Sequence, residues 1–139
     1  MGSGRTGCSV EESVSVPDVV ILYTTWPDAE KAEAIAAETV AERLCACVNV
    51  FAPIRSVYRW EGAVERAEET PVTFKTTEEA APALAAFIAA RHPYETPCIL
   101  ALRADAELSH GGYVEWVQAS VAAPEASRDP DEPVSPEAE

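Results

Sequence analysis

Apolar and polar positions along the chain fall into blocks of two different periods. Val19-Val20-Ile21-Leu22-Tyr23 is a short apolar run rich in β-branched residues, and it predicts a buried strand. Trp26-Pro27-Asp28 then reads as a helix start, with Asp28 and Glu30 biasing its N-terminus acidic. Ile35, Ala36, Thr39, Val40 and Leu44 recur at three- and four-residue spacing, so the helix is expected to be amphipathic and to end near Leu44. Lys31, Glu38 and Glu42 mark its outer face. From Cys47 to Thr76 the period changes to two around a turn at Glu61-Gly62-Ala63, which predicts one long hairpin of two strands. Pro53 and Pro71 lie at comparable distances from that turn and are expected to interrupt pairing as bulges or edge positions. Beyond Pro53, Ile54, Tyr58 and Trp60 share one face of the hairpin while Arg55, Val57 and Arg59 share the other.

A second helix is expected to open at Thr77 as cap, with Glu78 and Glu79 in its first turn and Leu84, Phe87, Ile88 and Arg91 on one helical spacing. Pro82 falls early enough to be tolerated. Cys98 to Arg103 gives a fourth strand, and Gly112 to Val121 a short final helix bearing Tyr113, Trp116 and Val117. The order strand, helix, strand, strand, helix, strand, helix predicts an α+β fold: a ferredoxin-like βαββαβ sandwich with an extended hairpin between its second and third strands and a short C-terminal helix. Two helices cover one face of such a sheet. The other face and the overhanging hairpin then expose strand edges and aromatics such as Tyr58 and Trp60, so a closed homo-oligomer is expected.

The chain has 139 residues, enough for one domain with a modest core. Residues 1–16 are small and polar and residues 122–139 are proline-rich and acidic, so both are expected to be disordered around a domain at 17–121. Net charge is −14, and the central part alone holds sixteen carboxylates against eight Lys and Arg. That balance argues against a nucleic-acid or anionic membrane partner. No stretch is apolar for the roughly 20 residues of a membrane span, and no basic and apolar signal opens the chain. The expectation is a soluble, cytoplasmic protein, with Cys8, Cys45, Cys47 and Cys98 as free thiols. The opening Met1-Gly2-Ser3-Gly4-Arg5-Thr6 matches a loose myristoylation pattern that is read as accidental.

Candidate chemistry concentrates in His92-Pro93-Tyr94-Glu95-Thr96-Pro97, between the second helix and the fourth strand. Its two prolines remove backbone donors and stiffen an extended loop that presents His92, Tyr94 and Glu95. Two readings stand side by side. In one, these residues meet Lys75 and Trp60 in a cleft between subunits and hold a small polar ligand. In the other, Tyr94 and the prolines pin the loop and His92 caps the helix, where its charged form is favoured. Cys45 and Cys47, two apart, would point the same way in strand geometry and suit a soft metal, or they are small buried thiols. Cys98 reads as core, and His110 as solvated loop. Glu11-Glu12, Glu68-Glu69 and Glu78-Glu79 are adjacent pairs that do not chelate together. No nucleophile elbow or H-E-x-x-H pair occurs, so no enzyme is expected.

Five blocks, in order, resemble the CutA divalent-cation tolerance proteins: Thr24-Thr25-Trp26-Pro27-Asp28, Ala41 to Asn49, Tyr58-Arg59-Trp60-Glu61-Gly62, Phe74-Lys75-Thr76-Thr77, and His92 to Pro97. The resemblance covers about residues 18–121. It implies a homotrimer of ferredoxin-like subunits similar to the PII signalling proteins, tolerance of divalent metals, copper binding as reported for some members, and no established reaction. No cofactor is required, although copper or another divalent cation is an expected weak ligand. The ligand candidates are therefore Trp60, Glu61, Lys75, His92, Tyr94 and Glu95, and the metal candidates Cys47, Cys45 and His92. Cys45 stands where the family has another small residue, so the resemblance says nothing of its role. The alternative function is a PII-like trimer binding a small anionic metabolite or nucleotide between subunits.

Overall fold

The computed structural model describes residues 16–122. The expectations for the leader, the acidic tail, Cys8 and Glu11-Glu12 lie outside these residues. The elements run β1 (Val19–Trp26), α1 (Ala29–Ala41), β2 (Cys47–Val50), β3 (Ile54–Trp60), β4 (Ala63–Thr77), α2 (Ala81–Arg91), β5 (Ile99–Arg103) and α3 (Gly111–Ser120). The strands form an antiparallel sheet in the order β2-β4-β1-β5, with β3 joined to the far half of β4.

The first arm of the expected hairpin is two strands, β2 and β3, separated by Phe51-Ala52-Pro53. The second arm, against expectation, does not break: β4 runs fifteen residues straight through Pro71. The reason is directional. In an antiparallel pair a residue's N and C=O point to the same neighbour. The Pro71 carbonyl accepts from Phe51 N–H at 2.9 Å, so its missing donor faces the gap between β2 and β3, where no ladder partner waits. Pro71 therefore leaves its pairing with Thr25 of β1 intact.

The hairpin tip closes with Glu61 at φ 50° and Gly62 at φ 84°, the paired left-handed positions of a tight hairpin turn that matches strand twist. Asp28 caps α1 by accepting from Glu30 N–H at 3.0 Å. The far end of α1 turns sharply: Arg43 adopts φ 61°, with Arg43 N–H donating to Val40 O and Leu44 N–H to Thr39 O, both at 2.9 Å. Arginine is unusual there. Its guanidinium explains the choice, donating from Nε to Ser120 O and from Nη2 to Ala119 O, each 3.1 Å, and so capping the end of α3.

Alternation along β1 divides the core. Val20, Leu22 and Trp26, with Val72 and Phe74 of β4, face α1 and α2 and pack on Ala32, Ile35, Leu84 and Ile88. Val19 points the other way and meets Val114, Val117 and Val121 of the α3 region. Val40, expected on the buried stripe, is exposed, while Leu44 reaches the core only after the helix has ended. Nor does Thr77 cap α2. Its hydroxyl accepts from Ala80 N–H at 3.3 Å in a turn before the helix, and Glu78 in that turn bonds Arg103 at 2.9 Å instead of serving the helix dipole.

Replacing Phe74 or Leu84 by Ala should cost about 2–5 kcal/mol by urea unfolding, as cavities in a close-packed layer do. Arg43→Ala should destabilise more than Arg43→Gly by about 1 kcal/mol, because both lose the α3 cap but only glycine relieves the left-handed backbone.

Candidate functional site

A cleft of about 650 Å³ opens on the sheet face opposite α1 and α2, between the overhanging hairpin and the loop that follows α2. Tyr23 and Thr25 of β1 form its floor, and Ser56, Tyr58 and Trp60 of β3 one wall. Period-two alternation puts those three on a single face. The opposite wall is Pro93 to Thr96 with Cys98, and Glu69 of β4 lies within.

His92 holds this loop from behind. Its backbone N–H closes α2 on Ile88 O, its Nδ1 accepts from Tyr94 N–H at 3.1 Å, and its Nε2 sits 2.8 Å from Thr25 O. A carbonyl can only accept, so Nε2 carries the proton and the ring is the neutral tautomer. The ring also stacks on buried Trp26, centroids 4.2 Å apart, and on Tyr94 at 4.9 Å. Trp26 is fixed in turn: its indole N–H donates to Thr24 Oγ1, whose hydroxyl donates to Val72 O. Burial pushes the His92 pKa below its ordinary value, outweighing the Thr25 carbonyl and the Glu69 charge that oppose this. The charged helix-capping imidazolium expected from sequence is thus replaced by a neutral, fully engaged ring.

Tyr94 transmits that support into the cleft. Its hydroxyl donates to Glu69 Oε2 at 3.1 Å, and its pKa is raised by desolvation first and by the Glu69 charge second. Cys98, expected in the core, is only half-buried and lines the cleft. Burial raises its pKa, the neighbouring Glu69 charge adds to this, and a Thr25 hydrogen bond opposes it, so the thiol stays protonated.

Of the six ligand candidates, Trp60, Tyr94 and Glu95 line the cleft. His92 supports it without lining it. Glu61 occupies the hairpin turn. Lys75 does not join them within one chain: it pairs with Ile21, four residues of β1 (about 13 Å at a strand's rise) from Thr25, and its Nζ lies 5.5 Å from the Tyr113 ring centre of α3. Of the metal candidates, Cys45 and Cys47 are neighbours and His92 lies apart from both. Cys45 is buried against Thr39, to which its Sγ donates at 3.4 Å, and burial lifts its pKa to about 11. Cys47 starts β2 opposite Lys75, at the end of the sheet away from His92. Among the described residues no group of three or more His, Cys, Asp or Glu side chains is placed to hold a metal ion.

Sequence reading missed Glu69, Tyr23 and the exposure of Cys98. The available signal for Glu69 was parity: it shares the strand face of Pro71, Thr73 and Lys75, opposite buried Thr70 and Val72.

Residues 20–120 match the CutA1 divalent ion tolerance protein family. The chain belongs to the CutA1 family. It is 35% identical over 112 residues to the divalent-cation tolerance protein CutA of Citrobacter koseri, covering 79% of this chain and 94% of that one. The solved CutA1 of Oryza sativa superposes with a TM-score of 0.72 at 33% identity, over 77% of this chain and 96% of that one. The periplasmic divalent cation tolerance protein CutA of Archaeoglobus fulgidus gives a TM-score of 0.69 at 36% identity, over 75% and 99%. Every residue of the cleft falls inside the CutA1 segment.

The His92 arrangement in this CutA1 chain fixes a pH dependence. Its folded-state pKa lies below the ordinary 6.5, so above 6.5 the neutral ring contributes in full, and the contribution declines as pH falls through 6.5 toward the folded value. Urea unfolding should show stability falling as pH is lowered from 7.5 to 5.5, and His92→Gln should flatten that slope.

Proposed function

We propose that this chain is a non-catalytic divalent-cation tolerance protein, acting in the response to metal ions as a homotrimer of ferredoxin-like subunits. The observation that carries the reading is the continuous CutA1 match over residues 20–120, with relatives named for divalent-cation tolerance. Assembly is supported by what one chain leaves uncovered. Tyr23 pairs with Leu100 and Ile21 with Leu102, which puts both leucines on the sheet face opposite α1 and α2, and both are more than half exposed. Val57 and Val64 are exposed as well, on the hairpin face away from the cleft. Apolar surface on an outer strand and a projecting ribbon is what a closed oligomer buries.

A non-catalytic role is supported by the chemistry of the reactive groups. The Cys98 thiol is held protonated, and both ring nitrogens of His92 are committed to the backbone. Cations such as copper would bind weakly, through surface carboxylates or through thiols, and binding at Cys45 would require deprotonating a thiol whose pKa is about 11. Cys45, Cys47 and Cys98 are all free, which suits a reducing compartment, so the cytoplasm is the proposed location. Among the described residues no helix is long and apolar enough to cross a membrane.

A second reading, a PII-like signalling trimer, draws support from the cleft, whose volume and aromatic walls suit a small molecule between subunits. Its anionic version requires Lys75 to arrive from another subunit.

Native mass spectrometry with and without chelator, followed by copper and zinc titration of the wild type and a Cys45→Ala/Cys47→Ala variant, tests the reading. A trimer that takes up metal equally in both is expected. Loss of uptake in the variant would make the thiols the site. A chain that stays monomeric, or never takes up metal, would overturn the reading.

A further inference from the structure

Glu69 is about nine-tenths removed from solvent, yet among the described residues no Lys or Arg pairs with it. Its Oε2 accepts one hydrogen bond, from the Tyr94 hydroxyl. A carboxylate withdrawn from water is ordinarily matched by a cation. Here it opens onto a cavity, with Glu95 contributing a second carboxylate and no basic residue among those lining it. The remaining surface is chiefly aromatic, with Tyr58, Trp60 and Tyr94 around the space. Aromatic faces attract cations, most effectively when the cation is weakly hydrated and the site partly dry.

We propose that this cleft binds a small organic ammonium ion, a positively charged nitrogen on a short apolar body. The nitrogen lies beside Glu69 and its alkyl substituents lie against Tyr58 and Trp60. The volume of about 650 Å³ falls within the range of small-molecule sites, about 300–1,000 Å³. Other ligand classes fit less well. An inorganic anion or carboxylic acid would meet two carboxylates and, among the lining residues of one chain, no cation. A hard divalent ion wants about six oxygen ligands, which aromatic walls do not supply. The assignment goes beyond the metal-tolerance reading and does not depend on it.

The test uses the full chain in its native assembly, with EDTA present so that metal uptake plays no part. Four probes with one apolar body are titrated by ligand-observed NMR and calorimetry at fixed ionic strength: butylammonium, butyltrimethylammonium, 1-butanol and butyrate. Both ammonium ions should bind, 1-butanol should bind at least about tenfold more weakly, and butyrate should not bind. A preference for the primary ion would show the Glu69 hydrogen bond leading, and a preference for the quaternary ion the aromatic walls; either supports the proposal. Glu69→Gln keeps an acceptor for Tyr94 and should weaken the ammonium ions by about tenfold, with oligomer mass and thermal unfolding unchanged. If Glu69→Gln does not fold, Glu95→Gln serves as the second variant and should weaken them to a smaller extent. The proposal is overturned if 1-butanol equals the ammonium ions, if butyrate binds, if no probe binds the assembled protein, or if a folded Glu69→Gln protein binds as tightly as wild type.

Discussion

Everything in this chain hangs from β4. Fifteen residues long, it is the antiparallel partner of β1, β2 and β3 in turn, so the packed sheet and the projecting hairpin share one backbone. The handover falls at Thr70-Pro71, where the partner on one side changes from β3 to β2 and the β1 ladder reaches its end. A proline there breaks nothing, because its absent donor is aimed at the single gap in the neighbouring arm. Glu69, the next residue outward, thereby sits at the junction of core and hairpin, half belonging to each.

Support for the cleft also comes from the core side. Val72 O, Thr24, Trp26, His92 and Tyr94 form a relay of hydrogen bonds and stacked rings from the sheet interior to the Glu69 carboxylate. Their side-chain polar atoms are satisfied within the series or, for His92 Nε2, by Thr25 O, which is the condition under which a buried polar series orders a structure instead of weakening it. The loop prolines add rigidity, but it is the neutral imidazole between two backbone groups that sets the loop's position.

Much of this was legible in the chain. The strand at Val19, the helix opening at Asp28, the turn at Glu61-Gly62, the stiff loop and the exposed Tyr58 and Trp60 all follow from period, capping and turn chemistry. What was not legible depended on direction and long-range register. Pro71 looked like a breaker because sequence does not say which neighbour a missing N–H faces. Leu44 extended the apparent helical stripe although Arg43 had already left the helix, and a non-glycine left-handed residue gives no local warning. Glu69 looked like half of an adjacent acidic pair until the loop after α2 brought the Tyr94 hydroxyl against it. The neutral state of His92 likewise turned on burial and on the Tyr94 N–H that its Nδ1 accepts, and its tautomer on the Thr25 carbonyl, which is 67 residues away along the chain.

Arg43 has a wider consequence. Its carbonyl accepts from Ala122 N–H at 2.9 Å while its side chain holds the end of α3, and Gln118 donates to Pro17 O at 2.8 Å. The two limits of the folded segment are thus stitched to the same corner, at the Val19 end of β1, four residues before Tyr23 on the floor of the cleft. Topologically the domain is close to a ring. A circular connection of residues 17–122 would keep the same contacts, and the opening of that ring lies away from the cleft.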